Sequence, residues 1–353
     1  MRRLSYALAV IVGTGATAAV LLLGLVGVQY WRNDRPIVLP KPRGGHPVGR
    51  TVFDWTDAAR SRELMVFVWY PAAAGARGNR AEYIPGRWGE IAAQGYFVIP
   101  AHRMQAIEVG AIDDAPTAPG SHPILVLLPA IGSVPAHYTT LAEDLASHGF
   151  IVAGVAPTGS TRNIVFPSGQ TAGSDLDPDQ GNAEVNSQVM QTWLDDAHFS
   201  VDQLLAAPRL AAVADAGRVG VLGHSFGGAV AMQLLKTDGR FKAAANLDGL
   251  PWRERLGALD RPLLIVLGGR LPSLLQGFAE EEAAQLRAIC AANRAGCQMH
   301  RYAQAGNADF TDAAVLPSRF PIPARLMDRG SVDGRQFQRE VADKLLAFFG
   351  RVL

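Results

Sequence analysis

Short apolar runs alternate with longer amphipathic stretches along most of this chain. Residues 64–70, 124–128, 151–155, 219–222, 243–247 and 263–267 are almost wholly apolar and are bounded by Gly, Pro, Asp or Arg. Runs this short, without polar alternation, read as strands buried on both faces. Between and after them, spacing and composition predict helices over 137–148, 187–207, 229–236, 279–293 and 333–349, the first ended by Gly149. Residues 51–55 pair as an antiparallel partner of 63–70 across an Asp-Ala-Ala-Arg-Ser turn, and 298–302 adds a last strand. Strands that alternate with helices call for an α/β fold with a mostly parallel central sheet and helices on both faces. Sites in such sheets lie at the carboxyl ends of the strands. Two stretches break the rhythm. Residues 72–119 are irregular and rich in Gly and Pro, with one short helix expected near 87–94, and are expected to lie over the domain as a lid or rim. Residues 157–179 form a long polar loop, expected to wall a binding site.

The N-terminus follows another pattern. Met1-Arg2-Arg3 precedes an uncharged run over 4–28, closed by Gln29-Tyr30-Trp31-Arg32. A helix of about 25 residues, rising about 1.5 Å per residue, spans a hydrocarbon core of about 30 Å. The paired arginines favour a cytoplasmic N-terminus, and Tyr30-Trp31 suits the far interface. The expectation is one uncleaved transmembrane or signal-anchor helix over 1–31; a cleaved signal peptide is the alternative. Either route exports the remainder, facing the periplasm from the inner membrane or secreted. Residues 32–49, with Pro36, Pro40, Pro42 and Pro47, read as a linker, and 50–353 as one domain.

Composition narrows the classes little further. The chain has 353 residues, 48% of them hydrophobic, and a net charge of +1, so nucleic acid is not an expected partner. Its two cysteines, Cys290 and Cys297, form neither a metal quartet nor a CxxC motif, and no cofactor is expected. In an exported domain they could close a small disulfide loop; two free thiols are the alternative.

The chemistry gathers at Gly223-His224-Ser225-Phe226-Gly227, a G-x-S-x-G pattern set between the 219–222 strand and the 229–236 helix. A serine on a sharp strand-to-helix turn is presented as a nucleophile, with glycines leaving room for the neighbouring backbone. The helix N-terminus places N–H groups and a positive dipole end beside it. A serine hydroxyl also needs a base, an orienter for that base, and oxyanion donors. With the chain order serine, acid, histidine, the acid candidate is Asp248, in Leu247-Asp248-Gly249 after the next strand.

Here the chain resembles the plasma-type platelet-activating-factor acetylhydrolases and their bacterial relatives. The resemblance rests on Gly223 to Ala229, on Leu247-Asp248-Gly249, on Leu141 to Val152, on Val68-Trp69-Tyr70-Pro71, and on Ser331-Val332-Asp333-Gly334 before the last helix. It covers residues 50–353. It implies an α/β-hydrolase fold, Ser225 as nucleophile, Asp248 as triad acid, and an oxyanion hole from the backbone N–H groups of Phe226 and Ile131. The substrate it implies is a small-molecule or lipid-like ester. Two departures stand out. Pro129-Ala130 replaces the family's His-Gly, so a differently set oxyanion loop is expected. The family's histidine opens a His-x-Asn-Phe-x-Asp motif, and its counterpart here is Asn307-Ala308-Asp309-Phe310-Thr311-Asp312. An amide cannot take a proton at neutral pH.

Other histidines offer weak substitutes. His300 lies within a strand, His224 flanks the serine as it does in the family, and His137 and His102 stand on loops or helix starts. Three possibilities therefore stand open: a natural relative with little activity, an inactivated variant, or a base recruited from elsewhere. The function expected first is a serine carboxylester hydrolase; the alternatives are a silent binding or scaffold protein and a polyester or cutinase-like hydrolase. The apolar pocket is expected around 96–104, 157–167 and Leu250-Pro251-Trp252.

Overall fold

A computed structural model of the chain describes residue 24 and residues 36–88, 106–161, 163–176, 182–251, 256–269, 276–316 and 328–353. In chain order the strands and helices are β1 (Val48–Asp57), β2 (Arg62–Pro71), β3 (Ile112–Asp113), β4 (His122–Leu128), α1 (Thr139–Ser147), β5 (Ile151–Val155), and a small hairpin of β6 (Ile164–Val165) and β7 (Thr171–Ala172). There follow α2 (Ala183–Ala206), α3 (Pro208–Ala211), β8 (Ala214–His224), α4 (Phe226–Thr237), β9 (Phe241–Leu247), β10 (Leu263–Gly268), α5 (Gln276–Ala292), β11 (Cys297–Tyr302) and α6 (Gly334–Val352).

The main sheet has the order β11-β10-β9-β8-β4-β5-β2-β1-β3. From β11 to β5 every pairing is parallel, while β2 joins β5 and β1 in antiparallel register. Side chains alternate across this sheet into two cores. On β4, Leu125 and Leu127 face one core with α1 and α6, through Leu141, Leu145, Phe337, Val341 and Leu345. Ile124, Val126 and Leu128 face the other, with α2, α4 and α5 through Trp193, Leu204, Val230, Leu234 and Leu286. Because both faces of the central strands are covered, their apolar runs are continuous, while β1 and β11 toward the edges carry polar residues. The expected mostly parallel sheet with helices on both faces is present.

Boundaries differ from the sequence reading where backbone pairing or capping extends an element past its apolar stretch. α2 begins before residue 187 because Asn182 caps it, accepting from the N–H groups of Glu184 and Val185. β8 extends back to Ala214, pairing with His122 and Pro123 on β4. The linker reading of residues 32–49 holds less far than expected. Ile37 and Leu39 are buried, Leu39 N–H donates to the Glu108 carbonyl at 3.0 Å, and Val48 and Gly49 already belong to β1. Prolines spaced through a segment set its path and do not prevent its apolar residues from docking. Residues 72–119 do lie over the domain where described, burying Tyr83, Trp88, Ile107 and Val109 in the α1/α6 core. The expected helix over 87–94 falls largely outside the described residues.

Cys290, at the end of α5, and Cys297, at the start of β11, form a disulfide with a Cα–Cα separation of 5.2 Å. Among the described residues no helix is long and apolar enough to cross a membrane. The anchor expected over 1–31 lies, apart from Gly24, outside them.

Candidate active site

The elbow is built by close backbone packing at the carboxyl end of β8. Ser225 has φ 53° and ψ −122°, a conformation that non-glycine residues rarely adopt and that surrounding contacts must hold. Those contacts are on hand: Ser225 N–H donates to the Leu247 carbonyl at 2.8 Å, and the Ser225 carbonyl accepts from Gly228 N–H at 2.9 Å. The glycines around it are required by space. A Cβ on Gly223 would sit 1.9 Å from the Gly227 carbonyl oxygen, and one on Gly227 would sit 2.4 Å from that of Leu128. At Gly228 the missing Cβ leaves room for Asn246 Oδ1, which a Cβ would approach to 2.2 Å.

Asn246 is fully buried at the end of β9. Its Oδ1 accepts from Gly249 N–H at 2.8 Å and its Nδ2 donates to the Gly249 carbonyl at 2.9 Å. This pair closes the turn that carries Asp248, itself at φ 52°. Asp248 Oδ1 accepts from Gly268 N–H at 2.8 Å, and Oδ2 accepts from Asn307 Nδ2 at 2.9 Å. A carboxylate can only accept here, so the asparagine must turn its amide nitrogen toward it. Burial pushes the Asp248 carboxyl above its usual range, opposed by the Asn307 amide and the Gly268 N–H.

Asn307 opens a 3₁₀ turn, Asn307–Phe310, fixed by two aspartates of its own motif. Asp309 Oδ2 accepts from Gly306 N–H at 2.9 Å and Gly330 N–H at 2.6 Å. Asp312 reaches across to the start of α1, accepting from the N–H groups of Thr139 and Thr140, each at 3.1 Å, and from the Tyr83 hydroxyl at 3.1 Å. Burial drives the Asp312 carboxyl up to about 7 against these donors. Asp328, beside the turn, is raised to about 6, first by partial burial and then by the neighbouring Asp248 charge.

Of the sequence-predicted residues, Asp248 and Asn307 are therefore in contact, and Ser225 stands on the strand next to the one carrying Asp248. The Ser225 hydroxyl makes no hydrogen bond to Asn307 or to any other described residue. An asparagine side chain is shorter than an imidazole, and drawn to Asp248 it does not also span to the serine. Among backbone N–H groups in the loop after β4, Gly132 donates to the Ser160 carbonyl at 2.9 Å and Ser133 to that of Ala130 at 3.0 Å, leaving Ile131 without an acceptor among the described residues.

No other described histidine takes the place of position 307. His300 pairs with Val266 in the sheet, and its imidazole is pushed down by burial and by Lys344. His137 is buried in the 3₁₀ turn Pro135–Tyr138, where it accepts from Val134 N–H at 3.3 Å, and burial lowers it to about 4. His224 is buried, lowered by burial to about 3, and its Nδ1 lies 2.7 Å from the Tyr138 hydroxyl. His102 and the expected pocket wall over 96–104 lie outside the described residues. Sequence reasoning missed Asn246, Tyr138 and the anchoring roles of Asp309 and Asp312. Asn246 had a visible signal, a lone amide in an apolar strand, and Asp312 closes the motif that Asn307 opens.

Several known proteins resemble the chain. A platelet-activating factor acetylhydrolase of Canis lupus familiaris is 26% identical over 274 residues, covering 65% of this chain and 59% of that protein. A probable 1-alkyl-2-acetylglycerophosphocholine esterase of Arthroderma benhamiae is 26% identical over 256 residues, covering 64% and 63%. The match thus spans about three fifths of the length of these relatives. Among solved structures, the ferulic acid esterase from Streptomyces cinnamoneus superposes with a TM-score of 0.76 at 26% identity, covering 90% of this chain and 94% of the other. The dienelactone hydrolase family matches residues 110–316, a stretch that holds the elbow, the acid turn and the Asn307 turn, and the chain belongs to that family.

Proposed function

We propose that this chain is a serine carboxylester hydrolase whose base position has been emptied, so that it binds and attacks esters but turns them over slowly. The observation that carries the reading is the Asn307 Nδ2 contact to Asp248 Oδ2 at 2.9 Å. It supports reading position 307 as the base position of a triad, beside an acid that follows the strand next to the elbow strand. Ser225 Oγ would attack the ester carbonyl, the Ile131 and Phe226 N–H groups would stabilise the oxyanion, and the alcohol would leave from the tetrahedral adduct. Water would then release the acid from the acyl-serine. With no imidazole, the serine proton must pass to solvent. Loss of a triad base costs on the order of 10⁶ in turnover and leaves about 10³–10⁴ over water from the oxyanion hole and binding. The acetylhydrolase and ferulic acid esterase relatives support a small or lipid-like ester as substrate. The disulfide supports an exported chain, anchored through residues 1–31 or released by their cleavage.

The expected outcome of Asn307→His is a gain of at least about 10² in hydrolysis of short-chain p-nitrophenyl esters. The gain should vanish when Ser225→Ala is added. No gain, with Ser225→Ala silent in both backgrounds, would overturn the catalytic reading. That result would favour the second one, a pocket retained for binding alone, which the amide-to-carboxylate contact also suits because it satisfies both groups without a titrating partner.

A further inference from the structure

The loop after β4 has a feature that the reaction scheme above does not use. Over residues 129–133 the backbone donors are almost all accounted for. Pro129 has none, Gly132 donates to the Ser160 carbonyl and Ser133 to the Ala130 carbonyl. Ala130 N–H is taken by a side chain, the Tyr138 hydroxyl, at 2.9 Å. That hydroxyl also lies 2.7 Å from His224 Nδ1. With Ala130 N–H filling one acceptor position of that hydroxyl, the Tyr138 O–H can donate to His224 Nδ1, an arrangement that places the imidazole proton on Nε2. Nε2 lacks a partner of full hydrogen-bond geometry but faces the Asn307 carbonyl. Both side chains are 2% exposed, and the His224 ring also lies against Phe310, 5.6 Å between centroids. One buried chain of contacts therefore links the loop, the residue before the nucleophile and the Asn307 turn.

Resting on the ester-hydrolase reading, we propose that Tyr138 and His224 are positioning residues for the oxyanion hole. By holding Ala130 N–H, Tyr138 fixes the peptide planes of the loop so that Ile131 N–H is the donor this loop offers the substrate oxyanion, beside that of Phe226. His224 fixes the Tyr138 hydroxyl rotor by accepting its hydrogen bond. Burial keeps His224 neutral through the physiological range, so this acceptor persists. The pair thus replaces, by a side chain from the Pro135–Tyr138 turn, whatever order a longer or differently bonded loop would need around Pro129-Ala130.

The test uses the full chain and a p-nitrophenyl alkylphosphonate, whose attack by Ser225 builds an anionic oxygen and releases one equivalent of nitrophenolate without requiring turnover. Ser225→Ala sets the background. Tyr138→Phe is expected to lower the maximal labelling rate by about 10–10², the cost of misplacing a transition-state donor, with the half-saturating probe concentration within about twofold. His224→Leu, which leaves the Tyr138 hydroxyl without its acceptor, should fall similarly. His224→Gln, whose amide oxygen can still accept, should recover most of the rate. His224→Leu carries the test if Tyr138→Phe fails to fold. Ser225-dependent labelling indifferent to all three substitutions overturns this proposal alone. Absence of Ser225-dependent labelling both in the unaltered chain and in Asn307→His overturns the ester-hydrolase reading, and this proposal with it.

Discussion

At the scale of single residues, replacing an imidazole by an amide changes where a proton can go more than it changes shape. Asn307 still satisfies Asp248, but it has no group that titrates near neutrality. Ester hydrolysis by the unaltered chain is therefore expected to climb steadily with pH up to about 9, as hydroxide replaces the missing base. Asn307→His should instead give a profile that levels off near the histidine range, around 6.5–7. A plateau near 7 in the unaltered chain would show that another group takes the proton. Asp312 offers a second test. Its folded pKa, raised to about 7 by burial, exceeds the value of about 3.9 for an unfolded aspartate. Between those values the folded chain holds a proton that the unfolded chain has lost, so the favourable contribution of the group is full below about 4 and fades as pH rises to 7. The Tm of the unaltered chain relative to that of Asp312→Asn should accordingly fall between pH 5 and 8; a relative Tm that rises would mean the three donors outweigh burial.

Whole elements impose constraints that no single side chain explains. The β8–α4 elbow exists because its own backbone, the end of β4 and the Asn246 side chain meet with no room for a Cβ at Gly223, Gly227 or Gly228. Gly227→Ala is expected to destabilise the fold by roughly 1–3 kcal/mol or more, as overpacking does, and to abolish phosphonate labelling of Ser225. Full labelling in a stably folded Gly227→Ala protein would contradict this account of the turn. The α5–β11 disulfide joins residues seven apart in sequence. A loop that short should contribute about 2–3 kcal/mol by restricting the unfolded chain. Paired Cys290→Ser and Cys297→Ser substitutions should lower Tm by several degrees, read by calorimetry, while Ser225 labelling stays unchanged.

For the molecule as a whole, the proposed anchor over residues 1–31 carries its own test. Ile37 and Leu39 hydrogen-bond to the Glu108 backbone, and they lie within eight residues of position 31 in the sequence. An anchored protein would therefore be held close to the bilayer surface. Expressed at full length in a bacterial host, the chain is expected to sediment with membranes and to resist carbonate extraction. Recovery at full length in the soluble fraction would rule out the anchor.

The sheet, its parallel run and the two helical layers were legible because burial on both faces forces continuous apolar strands, a signal that survives in sequence. Ser225 and Asp248 were legible for a related reason: sharp turns at strand ends demand particular neighbours, and Gly223, Gly227 and Gly249 mark them locally. Position 307 could be read only through a motif, since nothing within six residues says which carboxylate its amide will meet. Tertiary structure alone decided that Asn307, in bonding Asp248, leaves the Ser225 hydroxyl without a partner among the described residues, that Asp312 fastens the Asn307 turn to α1, and that Tyr138 holds the loop after β4. Each of these contacts joins segments at least eight residues apart, and as many as 173 in the case of Thr139 and Asp312. Hydrogen bonds between such distant segments leave no periodic trace, because their partners are chosen by the packing of the sheet and not by neighbours in the chain.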